Sequence, residues 1–352
     1  MLFLMGQVRW TSYSNGLGGH EGNIEHMRHV GQNGDRPRGS EKARIFEDLE
    51  QLEITRIEEN GGGVSGFGNY GEGHFHELAA KWIQSHCLEP NPLQGMCDEL
   101  VAHGATLGES PAEVVKKCKI TFGMLSDPPA ALSVVFDNGG VLEQICPGKG
   151  YIDMSTVDPE TSTKISEGVI SKGGVFLEAP VSGSKQPAET GQLIILAAGE
   201  KALYDEAIPA LDVIGKKSFF LGQVGNGAKM KLVVNMIMGC VMNSFSEGLV
   251  LAEKSGLNPH TLLDVLDLGA VSSPLIRGKG PAMLQSNYSP AFPLKHQQKD
   301  IRLALGLGDD NAISMPIAAA ANETFKKARS LGLGDLDFSA VYEAVKDLQR
   351  SS

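Results

Sequence analysis

Lys231 and Asn235 stand four residues apart in the run Gly225-Asn226-Gly227-Ala228-Lys229-Met230-Lys231-Leu232-Val233-Val234-Asn235, which places them on one helix face about a turn apart. The residues between them, and on to Met238, are apolar. A lysine in such a run either lays its stem on apolar surface and reaches solvent, the plain reading, or is held in a cleft. In a cleft beside an amide, its ammonium can protonate an oxygen. Carbonyl reduction needs this, because hydride arrives at carbon while a proton goes to the developing alkoxide. Partial desolvation moves a lysine down from pKa ~10.4 toward the useful range.

Two further segments carry candidate chemistry. Pro180-Val181-Ser182-Gly183-Ser184 puts a glycine between two hydroxyls after an apolar stretch, where N–H and O–H donors can meet a carboxylate. An ordinary turn is the alternative. Lys295-His296-Gln297-Gln298-Lys299-Asp300 supplies cations and a carboxylate on a predicted helix, and a solvated helical face would look the same.

These residues need elements to position them. Short apolar runs at 120–125, 150–154, 175–179, 193–198 and 218–221 read as strands, with helical stretches between them. Asp158 is placed to cap a helix whose first residue is Pro159. Strands separated by helices indicate a parallel or mixed sheet covered on both faces. Ligands bind such sheets at the carboxyl ends of strands, where Leu125, Ser126 and Thr156 lie. After Gly222 the strands stop. Residues 227–253 read as one long helix of about 40 Å, followed by helices over 261–268, 295–306, 317–330 and 337–349. The expected architecture is an α/β Rossmann-like domain over 96–222, incomplete at its N-terminal βαβ unit, then an all-α domain over 223–352 built on a long interdomain helix.

Residues 1–95 differ from the rest. Six of the nine histidines fall here, apolar periodicity is poor, and 15–40 lacks the apolar residues that would offset ordering entropy. Disorder is expected over that stretch, with short helices over 41–52 and 74–86. The spacing of His74, His76, His86 and Cys87 fits no standard zinc pattern, so no metal is expected. The net charge of −11 argues against a general nucleic-acid binder and leaves room for a small anionic substrate. Five scattered cysteines form no C-x-x-C pair, which indicates reduced thiols. No run reads as both long and uncharged enough to span a bilayer, so a soluble, cytoplasmic protein is expected, with an organelle left open.

Together the motifs resemble the β-hydroxyacid dehydrogenases, the family that contains 3-hydroxyisobutyrate dehydrogenase. The resemblance lies in Asp153-Met-Ser-Thr-Val-Asp158, Pro180-Val-Ser-Gly-Ser-Lys185, Gly225-Asn-Gly-Ala-Lys-Met-Lys231 and Lys295-His-Gln-Gln-Lys-Asp300, and covers roughly residues 97–348. It implies Lys231 as the catalytic acid, with Asn235, which would help hold the substrate, and Ser182 as the other catalytic residues. Ser182 and Gly183 would contact the substrate carboxylate, with Phe292 and Asp300 closing the site. Leu125, Ser126, Thr156 and Lys299 would touch the cofactor. The branch it resembles most prefers NADPH, with NAD the other option, and reduces glyoxylate to glycolate or succinic semialdehyde to 4-hydroxybutyrate. The implied partners are a small aldehyde acid and further copies of the chain, with neither nucleic acid nor membrane.

The family opens with a strand, a G-x-G-x-x-G turn and a helix, which the stretch just before Cys97 does not show. Overlapping matches at Gly61, Gly63, Gly66 and at Gly66, Gly68, Gly71 follow a stretch too polar for a buried central strand. Two accounts stand. An altered exon or start replaces the first βαβ unit and leaves a crippled enzyme, or the glycine-rich run forms an unorthodox phosphate loop; the alternative function is a cofactor-impaired, non-catalytic paralogue acting as an oligomerising subunit. The replaced unit is the favoured account. A 3-hydroxyisobutyrate-type dehydrogenase is a further option for the substrate.

Overall fold

The computed structural model describes residues 110–348, Gly108, and two N-terminal strands, β1 (Leu2–Gln7) and β2 (Gln51–Arg56). The stretch 15–40, the expected helix over 74–86, the four candidate metal ligands and the glycine-rich run lie outside the described residues. So does most of the expected helix over 41–52, whose last residues, Gln51 and Leu52, belong instead to β2. There Leu52 and Ile54 alternate with polar residues at period two, and Leu4 of β1 faces Ile54 in an antiparallel register.

From α1 (Pro111–Lys117) strands and helices alternate: β3 (Ile120–Gly123), α2 (Pro128–Phe136), β4 (Gly150–Asp153), α3 (Pro159–Ser171), β5 (Val175–Glu178), β6 (Val181–Ser182), α4 (Lys185–Glu189), β7 (Leu193–Gly199), α5 (Lys201–Ile214) and β8 (Gly215–Phe220). The sheet is mixed, in the order β2-β1-β3-β4-β5-β7-β6, with β8 paired to β7. Strands β3, β4 and β5 run parallel, so their carboxyl ends meet along one edge. Asp158 caps α3 as expected, its Oδ1 accepting the Thr161 N–H at 2.8 Å, and Pro159 opens the helix.

Side-chain alternation sorts these strands between two cores. Ile120, Phe122, Ile152 and Leu177 point to one face and pack with Leu203, Ala207 and Leu211 of α5. Tyr151 and Phe176 point to the other and pack with Val115, Val135 and Ile165 from α1, α2 and α3. A third core lies within the helical region: α6 (Asn226–Lys254), α7 (Pro259–Leu268), α8 (Pro274–Leu284), α9 (Leu294–Asp310), α10 (Pro316–Ser330) and α11 (Val341–Leu348). The fold is thus a Rossmann-like α/β region followed by helices built on α6.

Helix α6 passes the length and composition test for a bilayer span, with a mean hydropathy of 1.3 in its most apolar window, which corrects the expectation that no run does. Its buried side is polar as well as apolar: Lys231, Asn235, Asn243 and Ser246 lie inside the protein with Leu232, Met242 and Leu249. That is the pattern of a helix at the centre of a fold.

The first turn of α6 is fixed to the sheet. Glu178, at the end of β5 and buried, accepts the Gly227 N–H at 2.7 Å and the Ala228 N–H at 3.4 Å through Oε1, and the Ser162 hydroxyl through Oε2. The carboxylate therefore satisfies two of the N–H groups that a helix start leaves open. Gly227 is required here, since a Cβ would stand 2.4 Å from the Leu196 carbonyl oxygen, a backbone atom that cannot swing aside. Gly227→Ala is expected to cost about 2–3 kcal/mol through this overlap, and thermal unfolding should show a loss of roughly 4–10 °C.

Candidate active site

Lys231 lies four residues beyond Gly227, so the Glu178 contact that anchors the first turn also aims Lys231 at the strand ends. The lysine is 7% exposed. Its Nζ donates to Asn235 Oδ1 at 2.9 Å, and Asn235 Nδ2 donates to Asp300 Oδ2 at 2.6 Å. Helix α9 carries Asp300 and is drawn against α6 by Gln297, whose Nε2 donates to the Asn235 carbonyl at 2.9 Å. Gly239 permits that approach, because a Cβ there would lie 2.6 Å from Gln297 Nε2.

Burial pushes the Lys231 pKa down to about 8; Asp300 opposes this and Lys299 adds to it. An ammonium has three N–H bonds, of which Asn235 takes one. Lys299 is more fully engaged. Its Nζ donates to the carbonyls of Ser126 at 3.0 Å and Thr156 at 2.7 Å and pairs with Asp300 Oδ1 at 3.1 Å. It therefore ties α9 to the carboxyl ends of β3 and β4. At the β4 end, Asp153 is buried, and burial raises its pKa to about 6 against the Ser155 hydrogen bonds.

Lys231 opens onto a cavity of about 160 Å3. Leu125, Ser126, Thr156, Gly183, Phe292 and Asp300 line it, as does Lys299, so most of the expected site residues converge. Ser182 and Asn235 do not line it. Ser182 lies in β6, opposite Ile194 of β7, while Gly183 and Ser184 take the wall position. Asn235 stands behind Lys231, with its amide spent on Lys231 and Asp300. Sequence reasoning missed Met124, Met154 and Val181, which make the wall apolar, and His296, which also lines it. The signal for His296 was available: it precedes Lys299 and Asp300 by three and four residues, hence shares their helix face.

The residues present fit a nicotinamide dinucleotide. Ser126 and Thr156 sit where parallel strands end, and the N-termini of α2 and α3 follow directly. Beside the small cavity lies one of about 690 Å3 whose wall includes Lys295, Lys299, Arg302 and Arg329, a donor set suited to phosphate. Among the described residues no group of His, Cys, Asp and Glu could hold a metal ion.

Residues 63–222 match the NAD binding domain of 6-phosphogluconate dehydrogenase, and residues 225–345 match the NAD-binding domain of NADP-dependent 3-hydroxyisobutyrate dehydrogenase. The chain is 77% identical over 250 residues to glyoxylate/succinic semialdehyde reductase 1 of Arabidopsis thaliana, which covers 71% of this chain and 86% of that protein. The chain belongs to the β-hydroxyacid dehydrogenase family, NAD(P)-dependent oxidoreductases. Within it, glyoxylate/succinic semialdehyde reductase 2, chloroplastic, of the same plant is 56% identical over 256 residues, 73% of this chain and 72% of that one. The fold agrees with a crystal structure of 3-hydroxyisobutyrate dehydrogenase from Salmonella typhimurium at TM-score 0.66 and 22% identity, covering 77% of this chain and 95% of that one. The two family matches of this β-hydroxyacid dehydrogenase meet between residues 222 and 225, where β8 gives way to α6.

Proposed function

We propose that this β-hydroxyacid dehydrogenase reduces short aldehyde acids, glyoxylate to glycolate and succinic semialdehyde to 4-hydroxybutyrate, with NADPH preferred and Lys231 as the proton donor. The observation that carries the reading is the Lys231 ammonium, held by Asn235 at 2.9 Å and opening onto a cavity it shares with Gly183 and the strand ends. The names of two close plant relatives supply the substrates. When bound, the nicotinamide supplies the hydride. The chain's residues do the rest. The turn after β6, with Gly183 and Ser184 on the cavity wall and Ser182 leading into it, offers donors to the substrate carboxylate. Phe292, Met124 and Met154 exclude water from the carbonyl, and Lys231 delivers a proton to its oxygen as charge develops. Asn235 positions the ammonium, while Asp300 supports its charge and joins it to the Lys299 clamp. Leu125, Ser126 and Thr156 border the cofactor. An intact Lys231–Asn235–Asp300 chain favours catalysis over a non-catalytic subunit.

Consumption of NADPH with glyoxylate, followed by absorbance, tests the activity; NADH and 3-hydroxyisobutyrate in parallel assays test the preferences. No aldehyde-acid turnover by a protein that binds NADPH would overturn the substrate reading. The pH profile carries its own prediction. Reduction needs the protonated lysine, so kcat should be flat below pH about 8 and fall about tenfold per unit above it. Oxidation of 4-hydroxybutyrate needs the neutral amine, so its rate should climb about tenfold per unit up to pH about 8 and level off above it.

We also propose that the chain assembles with copies of itself. Met230, Val233, Ile237 and Val241 are exposed at helical spacing along α6, and Leu251 extends the apolar surface toward an apolar groove with Leu262 and Leu266 of α7. Sedimentation velocity reads this directly, a monomer at micromolar concentration being the contrary result.

A further inference from the structure

The larger cavity beside the reaction site shares Ser126, His296 and Lys299 with it. Lys295, Lys299 and Arg302 recur at helical spacing on α9, so one face of that helix is a cationic stripe along its wall. Two of the three are already paired, Lys295 with Asp335 at 2.7 Å and Lys299 with Asp300 at 3.1 Å. Arg302 is exposed and has no ion pair or hydrogen bond among the described residues. Arg329 reaches the same wall from α10, and its Nη1 donates to Gln298 Oε1. Gln298 in turn donates to Asn322 Oδ1 at 2.9 Å, both amides being buried. A neutral amide orients the Arg329 guanidinium without cancelling its charge.

The acids on this wall do not oppose that charge as bare carboxylates. Asp127 accepts the Ala130 N–H at 3.0 Å and the Ser126 hydroxyl at 2.9 Å. Asp158 accepts the Thr161 N–H at 2.8 Å and its hydroxyl at 2.9 Å. Both are helix caps, so the positive ends of α2 and α3 adjoin the cavity. On a chain of net charge −11, two guanidiniums without carboxylate partners over two helix N-termini make a local anion site.

We infer that Arg302 and Arg329 bind a phosphate of the nicotinamide dinucleotide from the helical side of the cleft, a contact additional to any made by a glycine-rich turn. The inference rests on the cofactor use proposed above. Guanidinium suits it, since its fork matches phosphate oxygens two at a time. Ser126, at the end of β3, borders both cavities, so a dinucleotide at Ser126 meets both.

Fluorescence titration of the full chain with NADPH, and separately with NADH, reads this without turnover. Arg302→Ala and Arg329→Ala should each raise the NADPH Kd by about tenfold, and the pair by about 100-fold, the scale of charge-assisted hydrogen bonds. Arg302→Ala removes no hydrogen bond or ion pair among the described residues, and Arg302→Lys should recover part of the affinity. If NADPH weakens and NADH does not, the phosphate is the 2′-monoester; if both weaken equally, it is the pyrophosphate. Either result supports the inference. Unchanged affinity for both dinucleotides in the double variant overturns it and leaves the reductase reading intact. Failure of that reading looks different: NADPH is bound, and bound less well by the arginine variants, but no aldehyde acid is reduced. A wild type that binds neither dinucleotide overturns both.

Discussion

Lys231→Ala should lower kcat for glyoxylate reduction by about 10^3-fold, within the range of a lost general acid, while the NADPH Kd stays within about twofold. The two readings separate because Lys231 faces the reaction cavity, whereas the contacts that tie α9 to the strand ends come from Lys299. Removing Lys231 leaves Asn235 Oδ1 without its donor, but Asn235 keeps its bond to Asp300 and its carbonyl keeps Gln297. The fold around the site should therefore survive, which circular dichroism and an unchanged cofactor titration would verify. A large loss of turnover with intact binding is the signature of an interaction made in the transition state.

The second large effect concerns charge. Asp300→Asn keeps the shape of the Asn235 contact and removes the anion that props up Lys231. Burial and Lys299 both favour the neutral amine, so without Asp300 the lysine pKa falls below its present value of about 8. A neighbouring carboxylate commonly shifts a pKa by one to three units. The alkaline limb of kcat should therefore move down by about one to two units. At pH 8, where the wild-type lysine is half protonated, the variant should be roughly 5- to 50-fold slower than wild type, with the deficit shrinking toward pH 6. Lys299 also loses its ionic partner, so KM for the substrate should rise. A purely structural role for Asp300 would lower kcat equally at all pH values. The pH profile distinguishes the two.

Much of this site was legible because it is local. Lys231 and Asn235 are one turn apart, and their spacing with the apolar residues around them states a helix face. Strands β3, β4, β5 and β7 are apolar enough to stand out, and Asp158-Pro159 announces α3. The contacts that join distant segments left no such trace. Asn235 meets Asp300 across 65 positions, and Lys299 reaches the Ser126 and Thr156 carbonyls across 173 and 143. Backbone carbonyls carry no sequence signature. Other misses have local causes. Pro281 stands inside α8, where a proline ordinarily breaks a helix, and α8 was not expected. Lys216 and Lys217 hide the start of β8, which pairs with β7 alone and exposes both charges. Pro180 to Ser184 reads as a turn because β6 is two residues long.

Chemical rescue of Lys231→Ala tests the proton-donor assignment most directly. With saturating NADPH and glyoxylate, added ethylammonium should raise the variant's rate in proportion to the protonated fraction of the amine, and leave wild type unaffected. A variant that reduces glyoxylate at the wild-type rate before any amine is added would contradict it.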